Sequence, residues 1–231
     1  MFIGLTKTGT GPEFNIIDVH NTSTPTLVGS YPVGYDINSI FVRGTYAYLA
    51  HPTDSFASTP EQLTVLDISN PGLPTRVSGY KAPDNQGNGR HIFTVGKNLY
   101  FGRTVTSTTN REFYILDNSD PEVLKTNNPN SPEPLGYKIN SSVGGLIVRD
   151  FLAFVLKGTA GGTRPGQLQI LDISNPDTPV NYLSPIPLPN TTAGVANESM
   201  DCEGNTMYIS SVPATGTKAD KGSITIVTTG N

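Results

Sequence analysis

One six-residue segment occurs twice in this chain, and its spacing constrains the fold more than any other feature. Leu66-Asp67-Ile68-Ser69-Asn70-Pro71 is repeated letter for letter as Leu171-Asp172-Ile173-Ser174-Asn175-Pro176. Weaker copies begin at Ile17-Asp18 and Leu116-Asp117, so that the four aspartates are 49, 50 and 55 residues apart. A regular period near 50 residues is the signature of a repeat architecture.

Each copy predicts a strand, a turn and a second strand. The first strand, c, is the apolar run that ends in the aspartate, at residues 14–19, 63–68, 113–117 and 168–173. Asp, Ser and Asn side chains bond local backbone groups, and Pro fixes φ, so the segment that follows reads as a turn. We interpret its recurring residues as structural: Asp18, Asp67, Asp117, Asp172, Pro71, Pro121 and Pro176. The second strand, d, is expected at residues 26–31, 75–80, 133–137 and 180–183.

Tight hairpins between these copies supply two more strands, a and b. They span residues 40–49, 92–101, 146–154 and 200–209. Aligned on Ala47, Tyr100, Ala153 and Tyr208, they repeat every 53, 53 and 55 residues. Four short strands in about 50 residues match one blade of a β-propeller. The sequence therefore predicts an all-β chain, a β-propeller of about five blades of four-stranded antiparallel sheet.

We expect one domain over residues 1–231, with blades near 1–34, 35–87, 88–140, 141–189 and 190–231. The chain begins in a strand b and ends with strands a, b and c. Either the two terminal blades have three strands each, or upstream sequence completes the first one. We expect the native chain to be longer.

The composition of the chain limits the kinds of molecule that it is expected to bind. The net charge is −4 and the pI about 5.3, so no basic surplus is present to neutralise nucleic-acid phosphates. No apolar run approaches the roughly 18 residues that a membrane helix needs. Cys202 is the only cysteine and has no internal disulfide partner. No cofactor motif is present.

The motif residues resemble the LVIVD-repeat family. The resemblance is carried by Leu63-Thr64-Val65 before Leu66–Pro71, and by the hairpin strand Tyr46-Ala47-Tyr48 after its turn. It covers four c strands and four hairpins, with Thr228 standing where a fifth aspartate is expected. It implies a propeller in a bacterial or archaeal protein of the extracellular or cell-surface type, and it implies no catalytic residue.

Loop length predicts where a ligand binds. The b–c and d–a loops share one face of a propeller, and here they are longer and more variable than the a–b and c–d turns on the other face. The charged candidates for this ligand face are Asp54, Arg90, His91, Arg103, Arg111 and Arg164. The expected partner is a protein, a glycan or another copy of the chain.

Metal binding and catalysis find little support in the sequence. One Asp per repeat does not converge on a point, as a calcium site requires. His20, His51 and His91 have no partner at ligand spacing, so we interpret them as structural. We assign no catalytic or metal residue. Four Asn-X-Ser/Thr sequons fall in predicted loops, at Asn21, Asn140, Asn190 and Asn197.

Three functional hypotheses follow. The first is a non-enzymatic recognition or display module that acts through the b–c and d–a loop face. The second is a structural subunit of a surface filament, in which a neighbouring chain completes a three-stranded blade. The third is a propeller-type hydrolase or lyase.

Overall fold

A computed structural model describes residues 1–53, 61–84, 86–104, 110–126, 135–158, 166–188, 196–212 and 223–228. All regular structure in these ranges is β-strand. In chain order the strands are β1 (Phe2–Gly4), β2 (Phe14–Asp18), β3 (Thr26–Tyr31), β4 (Ser39–Arg43), β5 (Tyr46–Ala50), β6 (Leu63–Asp67), β7 (Thr75–Tyr80), β8 (Gly89–Val95), β9 (Asn98–Arg103), β10 (Phe113–Asp117), β11 (Lys125–Thr126), β12 (Leu135–Tyr137), β13 (Ser142–Arg149), β14 (Leu152–Gly158), β15 (Gln167–Asp172), β16 (Val180–Asn181), β17 (Ile186–Pro187), β18 (Ala196–Glu203), β19 (Thr206–Val212) and β20 (Ser223–Thr228).

The strands form five antiparallel sheets, and each sheet comes from one consecutive stretch of chain. The orders are β1-β2-β3, β4-β5-β6-β7, β8-β9-β10 with β11 and β12, β13-β14-β15 with β16 and β17, and β18-β19-β20. In the third and fourth sheets two short strands pair with the same c strand, β10 or β15. The predicted all-β class and the meander order a-b-c-d are therefore confirmed. The single d strands predicted at 133–137 and 180–183 are wrong, because strand d is divided in both sheets.

The terminal sheets have three strands each in the part of the chain that the structure describes. The first sheet holds strands b, c and d, and the last holds a, b and c. This is the strand content predicted from the sequence.

The hairpin turns correct the predicted alignment of the repeats. The turn residues Gly44, Gly96, Asp150 and Gly204 have φ values of 58°, 57°, 53° and 56°. Aligned on this left-handed position, the hairpins repeat every 52, 54 and 54 residues. Tyr100 and Tyr208 then correspond to Tyr48 instead of Ala47. The alignment was wrong because turn geometry sets strand register, and a one-residue shift moves a side chain to the other face of the sheet.

The chain has two compact units, one made of residues 1–101 and 116–133, the other of residues 102–115 and 134–231. In the first unit an apolar cluster joins Phe14, Leu49 and Leu66, all fully buried. In the second unit a separate cluster joins Leu156, Leu168 and Ile209. The prediction of a single domain stays a prediction. No helix among the described residues is long and apolar enough to cross a membrane.

Candidate functional site

The c–d turns have one geometry in all four copies. Each repeat aspartate accepts a hydrogen bond at 2.8–2.9 Å from the backbone N–H two residues on; the pairs are Asp18 with His20, Asp67 with Ser69, Asp117 with Ser119 and Asp172 with Ser174. A second turn of the same kind follows three residues after the aspartate, with Asn21, Asn70, Asp120 or Asn175 as acceptor. Pro71, Pro121 and Pro176 occupy the position after that acceptor, where their fixed φ suits a type I turn.

A repeated acceptor at the other end of strand c was missed in the sequence. Glu13, Gln62 and Glu112 each precede a c strand and accept backbone N–H groups from the d–a segment, at Gly34, Ala82, and Ile139 with Asn140. Gln167 precedes the fourth c strand in the same way. The signal was present as a Glu or Gln directly before each apolar run.

An arginine links the turns of neighbouring hairpins. Arg43, at the end of β4, donates to the carbonyl of Gly96 in the next hairpin turn. In the second unit Arg149 donates in the same way to the carbonyl of Gly204. The two bonds span 53 and 55 residues, so that they follow the repeat.

The first of these links borders an open cavity of about 600 Å³, which we call the turn cavity. It lies wholly within the first compact unit, at the end of the sheets that carries the a–b and c–d turns. Its lining comes from two hairpin turns and one c–d turn: Arg43, Gly44, Thr45, Tyr46, Tyr48, Gly96, Lys97, Asn118, Ser119 and Pro121. The volume is within the range of roughly 300–1,000 Å³ usual for small-ligand sites.

Asn118 is the unusual residue in this wall. The position after the repeat aspartate is aliphatic in the other copies, at Val19, Ile68 and Ile173. Asn118 Nδ2 donates to the hydroxyl of Tyr48 at 2.9 Å. The residue is buried, with 6% of its surface exposed. Its Oδ1 atom has no hydrogen-bond partner. A buried acceptor without a partner costs about 1–3 kcal/mol, so this amide is held in place at some cost to stability.

Both ionic groups that line the cavity are cations. The carbonyl of Lys97 accepts from the Asn118 N–H at 2.7 Å, and its ammonium group helps to lower the pKa of Asp117. Burial raises the pKa of Tyr48, while the hydrogen bond from Asn118 and the positive charge of Arg43 oppose that rise. The Arg43 guanidinium is therefore close enough to act on a hydroxyl in the cavity wall.

The carboxylates around the turn cavity already accept hydrogen bonds. Asp117 accepts from the Ser119 N–H and hydroxyl, and Asp120 accepts from the Glu122 N–H. Glu122 accepts from the Tyr46 hydroxyl at 3.3 Å. Because none of these acids lines the cavity, the charged donors facing a ligand are Arg43 and Lys97.

The second compact unit has a cavity of about 470 Å³ beside the Arg149 link. Its wall is largely apolar, with Phe154, Ile170 and Met207 among its residues. It provides an internal comparison, because the hairpin link is the same while the wall is more apolar and contains an acid, Asp150, beside Arg149.

Of the predicted ligand-face residues, the four that the structure describes do not line either cavity. Asp54 and Arg164 lie outside the described residues. Arg90 and His91 lie in β8 and are half-buried, and Arg111 is half-buried just before β10.

Arg103, a predicted candidate for the ligand face, lies in a strand. It ends β9 with its side chain fully buried, and its guanidinium lies 5.7 Å from the centre of the Tyr114 ring. An aromatic face and buried surroundings suit the weakly hydrated guanidinium, which explains its position inside the sheet.

Two of the three histidines have clear structural surroundings. His51 is buried and stacks on Tyr35 with 5.0 Å between ring centres, and its Nε2 lies 3.0 Å from the Thr64 hydroxyl. Burial lowers the pKa of His51. His20 is exposed, and its Nδ1 lies 2.8 Å from Asp18. Within the described ranges, no group of three or more His, Cys, Asp and Glu side chains could hold a metal ion.

Two predicted sequons can be placed. Asn21 is exposed, and its Oδ1 accepts from Ser23 in the first c–d turn. Asn140 is exposed in a left-handed conformation, with φ 56°. Asn190 lies outside the described residues, and nothing is described of the Asn197 side chain.

Five antiparallel sheets, each built from one repeat of about 50 residues, define the class of protein as a β-propeller. The family model described as "LVIVD repeat" matches residues 10–33, 36–82 and 163–184. These three matches support the LVIVD-repeat family. The copy around Asp117, in which Asn118 departs from the aliphatic pattern, is outside the matched ranges.

Several solved structures are similar to the chain at 10–13% sequence identity. The computationally designed Ika4 protein aligns over 85% of this chain and 92% of its own, with a TM-score of 0.46. The designed Ika8 protein aligns over 88% of this chain and 50% of its own, with a TM-score of 0.48. An α-L-arabinofuranosidase from Lactobacillus brevis aligns over 88% of this chain and 78% of its own, with a TM-score of 0.45. No curated protein matches the chain in sequence.

Proposed function

We propose that this propeller is a non-enzymatic recognition module that acts outside the cell and binds a small polar ligand in the turn cavity. The observation that carries the proposal is that both ionic groups lining the cavity, Arg43 and Lys97, are cations. Three repeats place an aliphatic residue after the aspartate, and this repeat places Asn118, which holds the Tyr48 hydroxyl in the cavity wall.

The proposed site is on the face opposite to the one predicted from loop length. Much of the b–c loops lies outside the described residues, and a second contact surface on that face stays a prediction. The a–b and c–d turns seemed unsuited to binding because they are short. Short turns nevertheless enclose a cavity where neighbouring hairpins meet.

Binding without turnover suits the chemistry of the cavity. A guanidinium, an ammonium, an amide and two phenols can hold and orient a polar ligand. Hydrolysis of a sugar bond needs two carboxyl groups that flank the reacting atom. The described carboxylates near the cavity instead serve as acceptors within the turns.

The extracellular setting is proposed from two features. The LVIVD-repeat resemblance implies a surface or secreted protein, and Asn21 presents a sequon on an exposed turn. A glycan on Asn21 would be accommodated without displacing buried structure.

A Thr45→Phe variant tests the recognition site. Thr45 is exposed in the cavity wall, and the equivalent hairpin position in the fourth repeat holds Phe151, so that the turn should tolerate a phenyl ring. We expect the native chain to retain saccharides or glycoproteins on an array, and Thr45→Phe to lose them while unfolding at the same urea concentration. Chromatography of the bound ligand should show no product.

Retention by Thr45→Phe equal to that of the native chain would contradict the proposal, as would release of a cleaved product. The matched control is Phe151→Thr, which changes the equivalent turn of the second unit and should leave binding unchanged.

A second candidate function, a subunit of a surface assembly, is favoured by the exposed last strand. β20 is the outer strand of a three-stranded sheet. Its Ile224 and Ile226 side chains are 73% and 60% exposed, and Tyr208, paired with Ile226, is 39% exposed. An outer strand with exposed apolar side chains is a template for pairing with another chain.

Light scattering after size exclusion separates the two candidates. A subunit of an assembly should elute as oligomers that Ile224→Thr with Ile226→Thr disperses. Leu73→Thr is the control, because Leu73 is 67% exposed in a c–d turn away from any sheet edge. A monomer at high concentration contradicts the assembly.

A further inference from the structure

We propose that the last sheet of this chain packs face to face against the first sheet of a second copy. The contact joins β18-β19-β20 of one copy to β1-β2-β3 of the next. This inference deepens the second candidate function, the surface assembly, and rests on it, because it names the surface that the exposed last strand meets. It is carried by the packing of consecutive sheets within each unit and by one exposed face on each terminal sheet.

Consecutive sheets pack through the same positions of strand c in both compact units. The residues four and two positions before the repeat aspartate share a buried cluster with the following sheet. They are Phe14 and Ile16 in the first unit, and Leu168 and Ile170 in the second. We call this side of a sheet its forward face.

The side of a sheet that receives these residues is its backward face. It carries Leu49 in strand b of the second sheet, and Met207 and Ile209 in strand b of the fifth. Ile68, the residue after the repeat aspartate, belongs to it as well. Both clusters are apolar, so each contact buries the forward face of one sheet on the backward face of the next.

The forward face of the last sheet is exposed. Ile224 and Ile226 of β20 lie four and two positions before Thr228, which stands where the repeat aspartate is expected. They are 73% and 60% exposed, whereas Leu168 and Ile170, in the same positions of β15, are 1% and 9% exposed. The last sheet therefore presents a face that is buried in the sheet before it.

The backward face of the first sheet is exposed in the same way. Ile3 has the place in β1 that Leu49 has in β5, because both pair with the residue three positions before the repeat aspartate. Leu5, two residues further on, lies on the same side, and Val19 follows the repeat aspartate as Ile68 does. Leu5 and Val19 are 47% and 37% exposed, whereas Leu49 and Ile68 are 0% and 8% exposed.

The two exposed faces fit each other by the pattern that the other sheets follow. A forward face packs on a backward face, and Leu5, Val19, Ile224 and Ile226 carry no charge, so their burial leaves no unpaired ion. Exposed apolar patches mark interaction surfaces. Because the two surfaces differ, each copy uses one face for one neighbour and keeps the other face for the next. Such a head-to-tail contact builds a ring where the rotation closes and a filament where it does not.

Light scattering after size exclusion of two double variants tests the contact. Ile224→Thr with Ile226→Thr removes the forward face, and Leu5→Thr with Val19→Thr removes the backward face. All four positions are exposed, so both variants should unfold at the urea concentration that unfolds the native chain. We expect each variant alone to elute at the mass of one chain, 24.6 kDa, and the native chain as oligomers.

An equimolar mixture of the two variants is the sharper measurement. Each variant keeps the face that the other has lost, so the mixture should give a dimer and nothing larger. Leu73→Thr, the control in a c–d turn, should assemble like the native chain.

A thiol crosslink gives a second measurement that does not depend on dispersal. In a Cys202→Ser background, which removes the only native thiol, one copy carries Ile226→Cys and the other carries Val19→Cys. Ile16 and Ile68, in the equivalent positions, belong to one buried cluster. We expect a short bismaleimide to join the two copies in a mixture, and either variant alone to give no crosslinked dimer.

The first sheet is overturned as the partner if Leu5→Thr with Val19→Thr assembles to the native size, if the mixture stays monomeric, or if no mixed crosslink forms. If only the β20 variant disperses, or if Ile226→Cys alone gives the crosslinked dimer, the surface assembly stands and its contact joins two β20 strands. A native chain that is monomeric at high concentration contradicts the assembly itself, and this contact with it.

Discussion

At the scale of single residues, the repeat aspartates act as turn acceptors. The pKa values of Asp18, Asp117 and Asp172 are lowered, chiefly by hydrogen bonds from the residue two positions on. A carboxyl whose pKa is lower in the folded state stabilises the protein above its unfolded pKa. That stabilisation is lost as pH falls through the folded pKa.

We therefore predict that the free energy of unfolding decreases as pH falls below about 3.8, the ordinary pKa of these groups. Replacing Asp18, Asp117 and Asp172 together by Asn keeps an acceptor oxygen at each turn and removes the titration. Urea unfolding at pH 6 and pH 3 should show a smaller loss for the variant than for the native chain. Equal losses would mean that other groups cause the acid sensitivity.

Glu112 behaves in the opposite sense because it is buried. Burial raises its pKa, against hydrogen bonds from Asn140 and Ile139 that lower it. A raised folded pKa favours the protonated fold, so this contribution is present below the unfolded pKa and lost as pH rises through the folded one. Ionised Glu112 thus costs stability at neutral pH.

We predict that Glu112→Gln is at least as stable as the native chain at pH 7, since Gln62 and Gln167 occupy the same place in other repeats. Glu112→Ala should cost roughly 1–3 kcal/mol, because the buried N–H groups of Ile139 and Asn140 lose their acceptor. Urea unfolding of both variants checks this. A glutamine variant as unstable as the alanine variant would show that the charge itself is required.

Residue-scale features were predictable from sequence only where their partners are local. Asp67 bonds a group two residues away, so its turn role could be read from a short motif. Asn118 bonds Tyr48 across 70 residues, and its significance depends on a neighbour that no motif identifies. The acceptors Glu13, Gln62 and Glu112 are intermediate between the local and the distant case. Their position directly before strand c can be recognised in the sequence, but the residues that donate to them cannot.

At the scale of elements, the left-handed hairpin position controls strand register. Gly44 has φ 58° and open space where a Cβ would lie, so its requirement for glycine is purely conformational. Asp150 adopts φ 53° at the same position, as Asp and Asn tolerate this region better than other side chains.

Gly44→Val should therefore destabilise the chain by about 1–3 kcal/mol, since a β-branched residue is strained at positive φ. Asp150→Gly should stay within about 1 kcal/mol of the native chain, because relief of strain and the entropy of glycine oppose each other. Thermal unfolding of both variants gives the comparison. Tolerance of valine at position 44 would show that the hairpin can adopt another turn.

The strands could be predicted from the sequence, but the register of the a–b hairpins could not. Continuous apolar runs and turn residues predicted the c strands and the first two d strands to within a residue or two. The tyrosine pattern misled the hairpin alignment at Tyr100 and Tyr208, because aromatic residues occur on both faces of these strands. The turn glycines would have given the correct register from sequence alone.

At the scale of the whole molecule, the repeats determine the architecture. The site that we propose lies where one repeat departs from the common pattern. Equivalent arginine links join hairpins in both compact units, yet of the two cavities described only the one beside Arg43 is lined by two cations and no acid. The prediction of binding on the loop face came from length and composition. That prediction missed the turn cavity, whose wall is held together by bonds between residues far apart in sequence. Arg43 and Gly96 are 53 residues apart, and Tyr48 and Asn118 are 70 residues apart.

The most direct test of the turn cavity is backbone amide mapping by NMR during titration with a saccharide that the native chain retains on the array. Recognition at the turn cavity predicts saturable shifts at Thr45, Lys97 and Ser119, with those at the equivalent second-unit turn around Asp150 unchanged. Shifts confined to the opposite end of the sheets, at His91 and Arg111, would contradict it and return the binding site to the loop face.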